Sequence, residues 1–373
     1  MSDSAVPSRR RRWPVFVPFA VVMILAALWT GGWFYFAGKA RGMIEDWRAG
    51  EAKAGRVFDC ATQSIGGFPF RMEVRCVQPG VALAGMTPVA LKAADALVAW
   101  QIYQPSLLIA EFTGPLSLGE ASKPATFSAN WRLAQASARL MPRGVERTSI
   151  VLDAPALARV DGGSNAQVLK AAHIELHGRP NVDSRPDHPA IDMAVQLAAF
   201  SAPTLHPLFA EPLDADGTGV LHALPDLSPK PWPVLLKEWQ ARGGSLEIGK
   251  LRVQQGDVIA VGAGTLALTA RGGLDGQMQI TVVGLEKVLQ TLGINRIVSE
   301  GDVGSALGAL NRFMPGLGDF ARQNAGAGIV AGLGALGQRT TLEGKPALTV
   351  PLRFDDGAVL LGPVVIGRMA ALF

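Results

Sequence analysis

His173, Glu175 and His177 are the densest group of chemistry-bearing side chains in this sequence. In a strand, residues two apart project from one face, so two imidazoles and the carboxylate between them can be presented together to a zinc ion. Ala172, Ile174 and Leu176 occupy the alternate positions. The simpler reading is therefore a half-buried strand whose polar side is solvated, and no metal is assigned. Gly332-Leu333-Gly334-Ala335-Leu336-Gly337 has the glycine spacing of a dinucleotide fingerprint, but that motif must follow a buried strand. Here it follows the polar Ala321-Arg322-Gln323-Asn324 and Gly326-Ala327-Gly328, so a Gly/Ala-rich helix packed on a sheet, or a loop, explains it better. Asp214 with Asp216, and Asp355 with Asp356, stand beside glycines in expected turns, where aspartate is ordinary turn chemistry rather than acid–base machinery. His188, His206 and His222 lie near prolines or in polar turns and read as surface residues.

No Gly-x-Ser-x-Gly elbow, His-Glu-x-x-His, Walker loop or Cys-x-x-Cys occurs in the sequence. No catalytic residue is assigned, no cofactor is expected, and the chain reads as non-enzymatic.

What must position any site begins with Val15 to Gly38, 24 uncharged and almost wholly apolar residues directly behind Arg9-Arg10-Arg11-Arg12. At about 1.5 Å per residue the run is roughly 36 Å long, enough to cross a hydrocarbon core of about 30 Å. A cleaved secretory signal is the competing reading, with Gly38 and Ala40 available to a peptidase. The length of the run and its closure on Trp33-Phe34-Tyr35-Phe36, aromatics suited to a membrane interface, favour a retained anchor. Four arginines before the span, against Lys39, Arg41 and Arg48 mixed with Glu45 and Asp46 after it, place the short tail in the cytoplasm and the large domain on the far side. Met1 to Pro14 holds four arginines and one aspartate, so most of the net charge of +4 sits in that tail. The rest is nearly neutral, which leaves nucleic-acid binding without an electrostatic footprint.

The sequence divides into a basic tail (1–14), the anchor (15–38), a juxtamembrane helix (39–55) ending at Gly55, a β-rich region (56–227) and a C-terminal α+β region (228–373). Phe68, Phe70, Met72, Val74 and Cys76 alternate with Arg71, Glu73 and Arg75, the pattern of a half-buried strand. Val57 to Ser64 should pair with it. A Gly66-Gly67 turn would set Cys60 opposite Glu73, whereas a loop over Gly67 to Pro69 would set Cys60 opposite Cys76 and permit a disulfide; two unrelated thiols are the alternative. Further strands are expected at Val81 to Ala84, Val89 to Tyr103, Leu107 to Leu118, Thr126 to Arg139, Arg147 to Ala154, Val168 to Leu176 and Ala190 to Ala199. Ser228 is a candidate cap for a helix over Pro231 to Ala241. Three strands over Ser245 to Val283 follow, then a helix from Leu285 to Leu292, another capped by Ser299 and Asp302 and running to Leu310, and strands at Ala347 to Phe354 and Ala358 to Ile366. The expected class is α+β: mostly antiparallel β meanders forming a long curved sheet with a few packed helices behind one transmembrane helix.

The Arg-rich start and its span, Cys60 to Cys76 around Gly66-Gly67-Phe68-Pro69-Phe70-Arg71, the Arg252-Val253-Gln254-Gln255-Gly256 turn and the closing Pro363-Val364-Val365-Ile366-Gly367 resemble the bacterial membrane-anchored family known as domain of unknown function 2125. Trp239, Gly243-Gly244, Gly264-Thr265-Leu266 and Leu274-Asp275-Gly276 are more loosely similar to the C-terminal meanders of AsmA-like envelope proteins. The first resemblance implies inner-membrane attachment with a periplasmic domain and brings no catalytic residues; the second implies lipid handling in the envelope. Two functions are expected from these readings. One is a module holding a lipid or other apolar ligand on its sheet beside the bilayer; the other is an anchored scaffold that recruits envelope proteins.

Overall fold

In the computed structural model of the chain the described residues are 13–85, 88–142, 144–160, 165–185, 187–224, 228–291, 337–361 and 364–373. The expected capping pair Ser299 and Asp302, the helix to Leu310 and Gly332 to Leu336 lie outside them. The apolar run and the juxtamembrane segment form one helix, α1 (Trp13–Lys53), of 41 residues. Gly55, at φ 79°, ends it, a conformation that a Cβ would strain. α1 is long and apolar enough to cross a membrane, and its side chains Phe16, Leu25 and Leu28 are exposed.

Beyond α1 the chain meanders between two antiparallel sheets. β1 (Arg56–Asp59) lies in the smaller sheet, β2 (Thr62–Gly66) and β3 (Arg71–Val77) in the larger, β4 (Gly80–Leu83) and β5 (Val89–Lys92) in the smaller again. The alternation continues with β6 (Asp95–Gln101) and β7 (Gln104–Thr113), β8 (Leu116–Glu120) and β9 (Phe127–Asn130), β10 (Leu133–Met141) and β11 (Gly144–Asp153), β12 (Ala156–Arg159) and β13 (Ala166–Lys170). β14 (His173–Pro180) and β15 (Ala190–Phe200) then return to the larger sheet.

Each crossing is a two-residue crease, and its chemistry is legible. On the outward legs the creases are Gln78-Pro79, Gly114-Pro115 and Ala154-Pro155, with Gln78 and Ala154 at φ 51° and 47°. Proline lacks the N–H a ladder needs, and a positive φ turns the chain, so the strand bends there. The returning creases are Cys60-Ala61, Ala93-Ala94, Trp131-Arg132 and Ala171-Ala172, of which the two alanine pairs leave room for the sheets to approach. Hydrogen bonds carry across the bend: the Gln78 amide donates to the Ala94 carbonyl (2.9 Å), that of Ala154 to Ala172 (2.8 Å) and that of Ala172 to Ala198 (2.8 Å).

These creases divide strands that alternation alone renders as continuous. Val57 to Ser64, Val89 to Tyr103, Leu107 to Leu118, Thr126 to Arg139 and Val168 to Leu176 are each two strands in two sheets. The first hairpin takes neither expected register: Gln63 faces Cys76 and Gly66 faces Glu73. The turn between them is Gly67 to Phe70, with Gly67 at φ 94° and no room for a Cβ, which would lie 2.8 Å from the Arg71 carbonyl oxygen. Cys60, at the crease between β1 and β2, nevertheless reaches Cys76, and the two are joined by a disulfide with Cα atoms 5.5 Å apart.

The larger sheet goes on through β16 (Leu213–His222), β17 (Ser245–Gln255), β18 (Val258–Leu268), β19 (Leu274–Val283), β21 (Lys345–Asp355), β22 (Ala358–Leu361) and β23 (Val364–Arg368), with β20 (Gln338–Leu342) pairing β21. β16 and β17 pair from Asp214↔Gln254 to His222↔Ser245, so one sheet runs unbroken past Ser228 and does not close on itself. Between them lies α2 (Trp232–Ala241), preceded by Pro231 with no side-chain cap, so Ser228 is not its cap. A proline at the helix start has no N–H to leave unsatisfied. α3 (Leu285–Thr291) follows β19. The tightest packing is at this end, where Val350 and Leu361 are buried against Ile280, Leu285, Leu348 and Leu352.

The disulfide closes a loop of sequence separation 16. Unreduced protein should show no free thiol and reduced protein two; reduction should lower unfolding stability by about 3 kcal/mol on the chain-entropy account, read from urea denaturation with and without reductant.

Candidate functional site

Pairing partners project from the same face, so the strand registers sort every side chain of the larger sheet to one side or the other. One face carries a central apolar row across the width of the sheet, with polar residues such as Thr148 and Gln63 beside it. A single row of paired residues runs Val74, Val98, Ala110, Ala136, Ile150, Leu176, Val195, Gly217, Leu251, Gly262, Ile280 and Val350 without a polar member. With neighbouring strands about 4.8 Å apart, such a row is roughly 50 Å long. The adjacent row from Ala134 through Leu152, Ile174, Leu197, Ala215 and Val253 is also apolar. Ile150 and Phe112 on this face are 42% and 41% exposed, an open surface of the kind soluble proteins rarely leave bare.

This face meets α1 at its first strands. Trp33 and Ala37 are buried against Met72, with Ile65, Trp100 and Ile102 packed around them. Trp29 Nε1 donates to the Pro69 carbonyl (2.9 Å) and Trp33 Nε1 to the Arg71 carbonyl (3.1 Å). Further along, Trp47 packs on Phe58 with ring centroids 4.7 Å apart, and Glu51 pairs with Arg56. Between α1 and the sheet lies an open, mainly apolar groove of about 1060 Å³, walled by Leu25, Trp29, Met43, Phe70, Met72 and Ile102 and bordered by Lys39. A smaller groove of about 310 Å³ includes Arg71, Glu73, Glu111 and Gln135 from the sheet's other, polar side. Sequence reasoning names Trp33 as an interface aromatic and Met72 as part of a half-buried strand face, but gives no sign of Trp29 or of the contact that brings the three together.

His173, Glu175 and His177 do share a face of β14, opposite Asp153, Val151 and Ser149 of β11. They form a hydrogen-bonded chain. His173 Nδ1 lies 2.6 Å from Asp153 Oδ1 and its Nε2 2.9 Å from Glu175 Oε1; His177 Nε2 is 3.1 Å from Glu175 Oε2 and its Nδ1 2.8 Å from Ser149 Oγ. Every ring nitrogen thus has a protein partner. Among the described residues no group of His, Cys, Asp and Glu is arranged to hold a metal ion. Glu175 and then Asp153 raise the His173 pKa above its usual 6.5, while His173 holds Asp153 and Glu175 below the usual carboxylate range, aided by Arg132 and His177 respectively.

The remaining candidates are scattered. Asp214 and Asp216 lie within β16 rather than in a turn, because the sheet continues through the adjacent glycines; Asp214 Oδ1 accepts from the Ala199 amide (2.8 Å), supporting the positive φ at that position, and Asp216 lies 3.9 Å from Lys250. Asp355 ends β21, and Asp356 in the following turn accepts from Thr269 Oγ1 (2.5 Å). His206 caps a short 3-10 turn, Pro207–Phe209, and His222 Nε2 stands 3.4 Å from Glu247. Arg252 makes paired hydrogen bonds to Glu343 (2.9 and 3.1 Å), and Gln255 Nε2 donates to the Leu208 and Glu211 carbonyls, so this motif ties loops to the sheet.

The raised His173 pKa sets a sign for stability. Its contribution is full below the unfolded value near 6.5 and is lost as pH rises through the higher folded value; those of Asp153 and Glu175 are present above their unfolded values and lost as pH falls through the lower folded ones. The cluster is therefore most stabilising in mildly acidic solution. Thermal unfolding should occur at lower temperature at pH 9 than at pH 6, and His173→Gln should remove part of that difference; an unchanged difference in the variant would show that the cluster does not contribute.

No curated protein matches the sequence, so the likeness to AsmA-like proteins gains no support from such comparison. The profile of a bacterial family described as "Uncharacterized protein conserved in bacteria (DUF2125)" matches residues 33–370. That span takes in the C-terminal half of α1, both sheets and β23, and the chain belongs to this family.

Proposed function

We propose that the protein is anchored in the bacterial inner membrane by α1, with residues 1–14 in the cytoplasm and the sheets in the periplasm, and that its apolar sheet face holds a lipid or similar long apolar ligand beside the bilayer. The observation that carries this reading is the row from Val74 to Val350, apolar at every position and joined at its first strand to a helix apolar enough to span. A domain that only needed a dry core has no use for a groove of about 1060 Å³ opening beside that helix. The arginine cluster before the span supports the orientation, and the disulfide supports an oxidising compartment. We take residues 56–227 and 228–373 as two regions of one binding body, since β16 and β17 pair across the boundary.

The test is native mass spectrometry of the full chain released from detergent or nanodiscs, with extraction and identification of what it carries. Reproducible co-purification of phospholipid or another acyl lipid is expected. Leu176→Asp, which puts a charge in the middle of the apolar row, should reduce the bound lipid while leaving the melting temperature within a few degrees, because Leu176 is not part of the buried core. An empty wild-type protein would end this reading and leave the anchored scaffold.

A further inference from the structure

The corner of the larger sheet nearest α1 carries large apolar side chains at its hairpin tips. Phe68, Phe70 and Tyr103 are 47%, 63% and 73% exposed, at positions that domains in water fill with polar turn residues. The backbone of this corner is supplied from within the protein. The Arg71 amide donates to the Gly67 carbonyl (3.1 Å) and the Ile102 amide to the Phe70 carbonyl (3.0 Å). Trp29 and Trp33 supply indole N–H donors to the Pro69 and Arg71 carbonyls, and Pro69 brings no N–H of its own. Consecutive acceptors satisfied in this way suit a medium without water, where a carbonyl lacking a partner is costly.

The depth of the corner follows from its partner. Trp29 lies nine residues before Gly38, the last of the uncharged run, which at about 1.5 Å per residue is roughly 13 Å inside it. The Pro69 carbonyl bonded to Trp29 shares that level. Lys39, the first cation after the run, borders the groove with its ammonium 5.8 Å from the centre of the Tyr35 ring. The groove is thus apolar along the helix and cationic where the run ends, the order in which a phospholipid presents acyl chain and phosphate.

We infer that Phe68, Phe70 and Tyr103 form a wedge sunk in the leaflet on the domain's side, opening the groove sideways to the bilayer, and that its occupant is a bilayer phospholipid with an acyl chain along Met72 and Ile102 and its phosphate at Lys39. The wedge rests on the spanning of the bilayer by α1 proposed above, and the onward path of the chain along the sheet on the lipid-holding function proposed with it.

The full chain is reconstituted in vesicles of phosphatidylethanolamine and phosphatidylglycerol, with nitroxides at Phe70→Cys, Tyr103→Cys and, on the distant β8–β9 turn, Lys123→Cys. The native cysteines are paired and leave no competing thiol. Labels at Phe70 and Tyr103 should collide with oxygen more than with an aqueous nickel complex, and the label at Lys123 the reverse; three aqueous labels would overturn the wedge. A photoreactive benzoylphenylalanine in place of Ile102 should capture radiolabelled phospholipid, and Lys39→Glu should lower that yield by about fivefold or more. No capture at Ile102, or capture indifferent to Lys39→Glu, would overturn the assignment of the occupant. The same photoreactive residue in place of Leu176 separates the two proposals: capture at Ile102 without capture at Leu176 retains the groove and ends the sheet-wide reading, whereas capture at Leu176 with aqueous labels at Phe70 and Tyr103 does the opposite.

Discussion

Strand parity governs this molecule. Antiparallel pairing puts partners on the same face, and a slip of one residue would move a strand's entire apolar set to the other side. From Val74 to Val350 every partner in the central row is apolar or glycine, across strands separated by turns, a helix and two regions of different texture. A surface of that kind is the product of a register kept without error. The bulges, as between Ile248 and Leu251, insert residues without disturbing it: Ile248 still faces Gly264, and Leu251 faces Gly262.

The crease is the second consequence of the backbone's own chemistry. A flat sheet of this width would twist steadily; here its first half is bent along a line of two-residue creases, with proline at each outward one. At Ala154-Pro155 the positive φ and the missing N–H act together, and the hydrogen bond from Ala154 to Ala172 keeps the neighbouring strands in step through the bend. The disulfide between Cys60 and Cys76 lies at the same line, where β1 leaves β2, and locks the first bend of the series.

The class of fold was legible because alternation is local: Met72, Val74 and Cys76 announce a strand whatever its partners. The creases were not, since Leu107 to Leu118 alternates as one strand and only pairing reveals that Gly114-Pro115 sends its end into another sheet. The hairpin register failed for a related reason. Both expected loops assumed that β1 and β2 were one strand, while β1 pairs with β4. At the candidate sites, the shared face of His173, Glu175 and His177 followed from period two, whereas their saturation by Asp153 and Ser149 depends on residues 20 and 28 positions away in another strand. The groove was invisible because Trp29, Trp33 and Met72 are ordinary membrane or core residues until the helix and hairpin are brought together.

How α1 joins the sheet decides what the apolar face can do. A flexible tether would leave the row at variable distance from the bilayer, and its apolar surface would be an aggregation hazard. Instead α1 is held at Pro69, Met72, Phe58 and Arg56, along a helix that continues unbroken from the apolar run to Lys53. This attachment fixes α1 against the first strands of both sheets. The apolar row therefore starts at the strand that α1 grips, and the segments from Gly66 to Arg71 and at Arg252 hold this arrangement through turns and ties to loops.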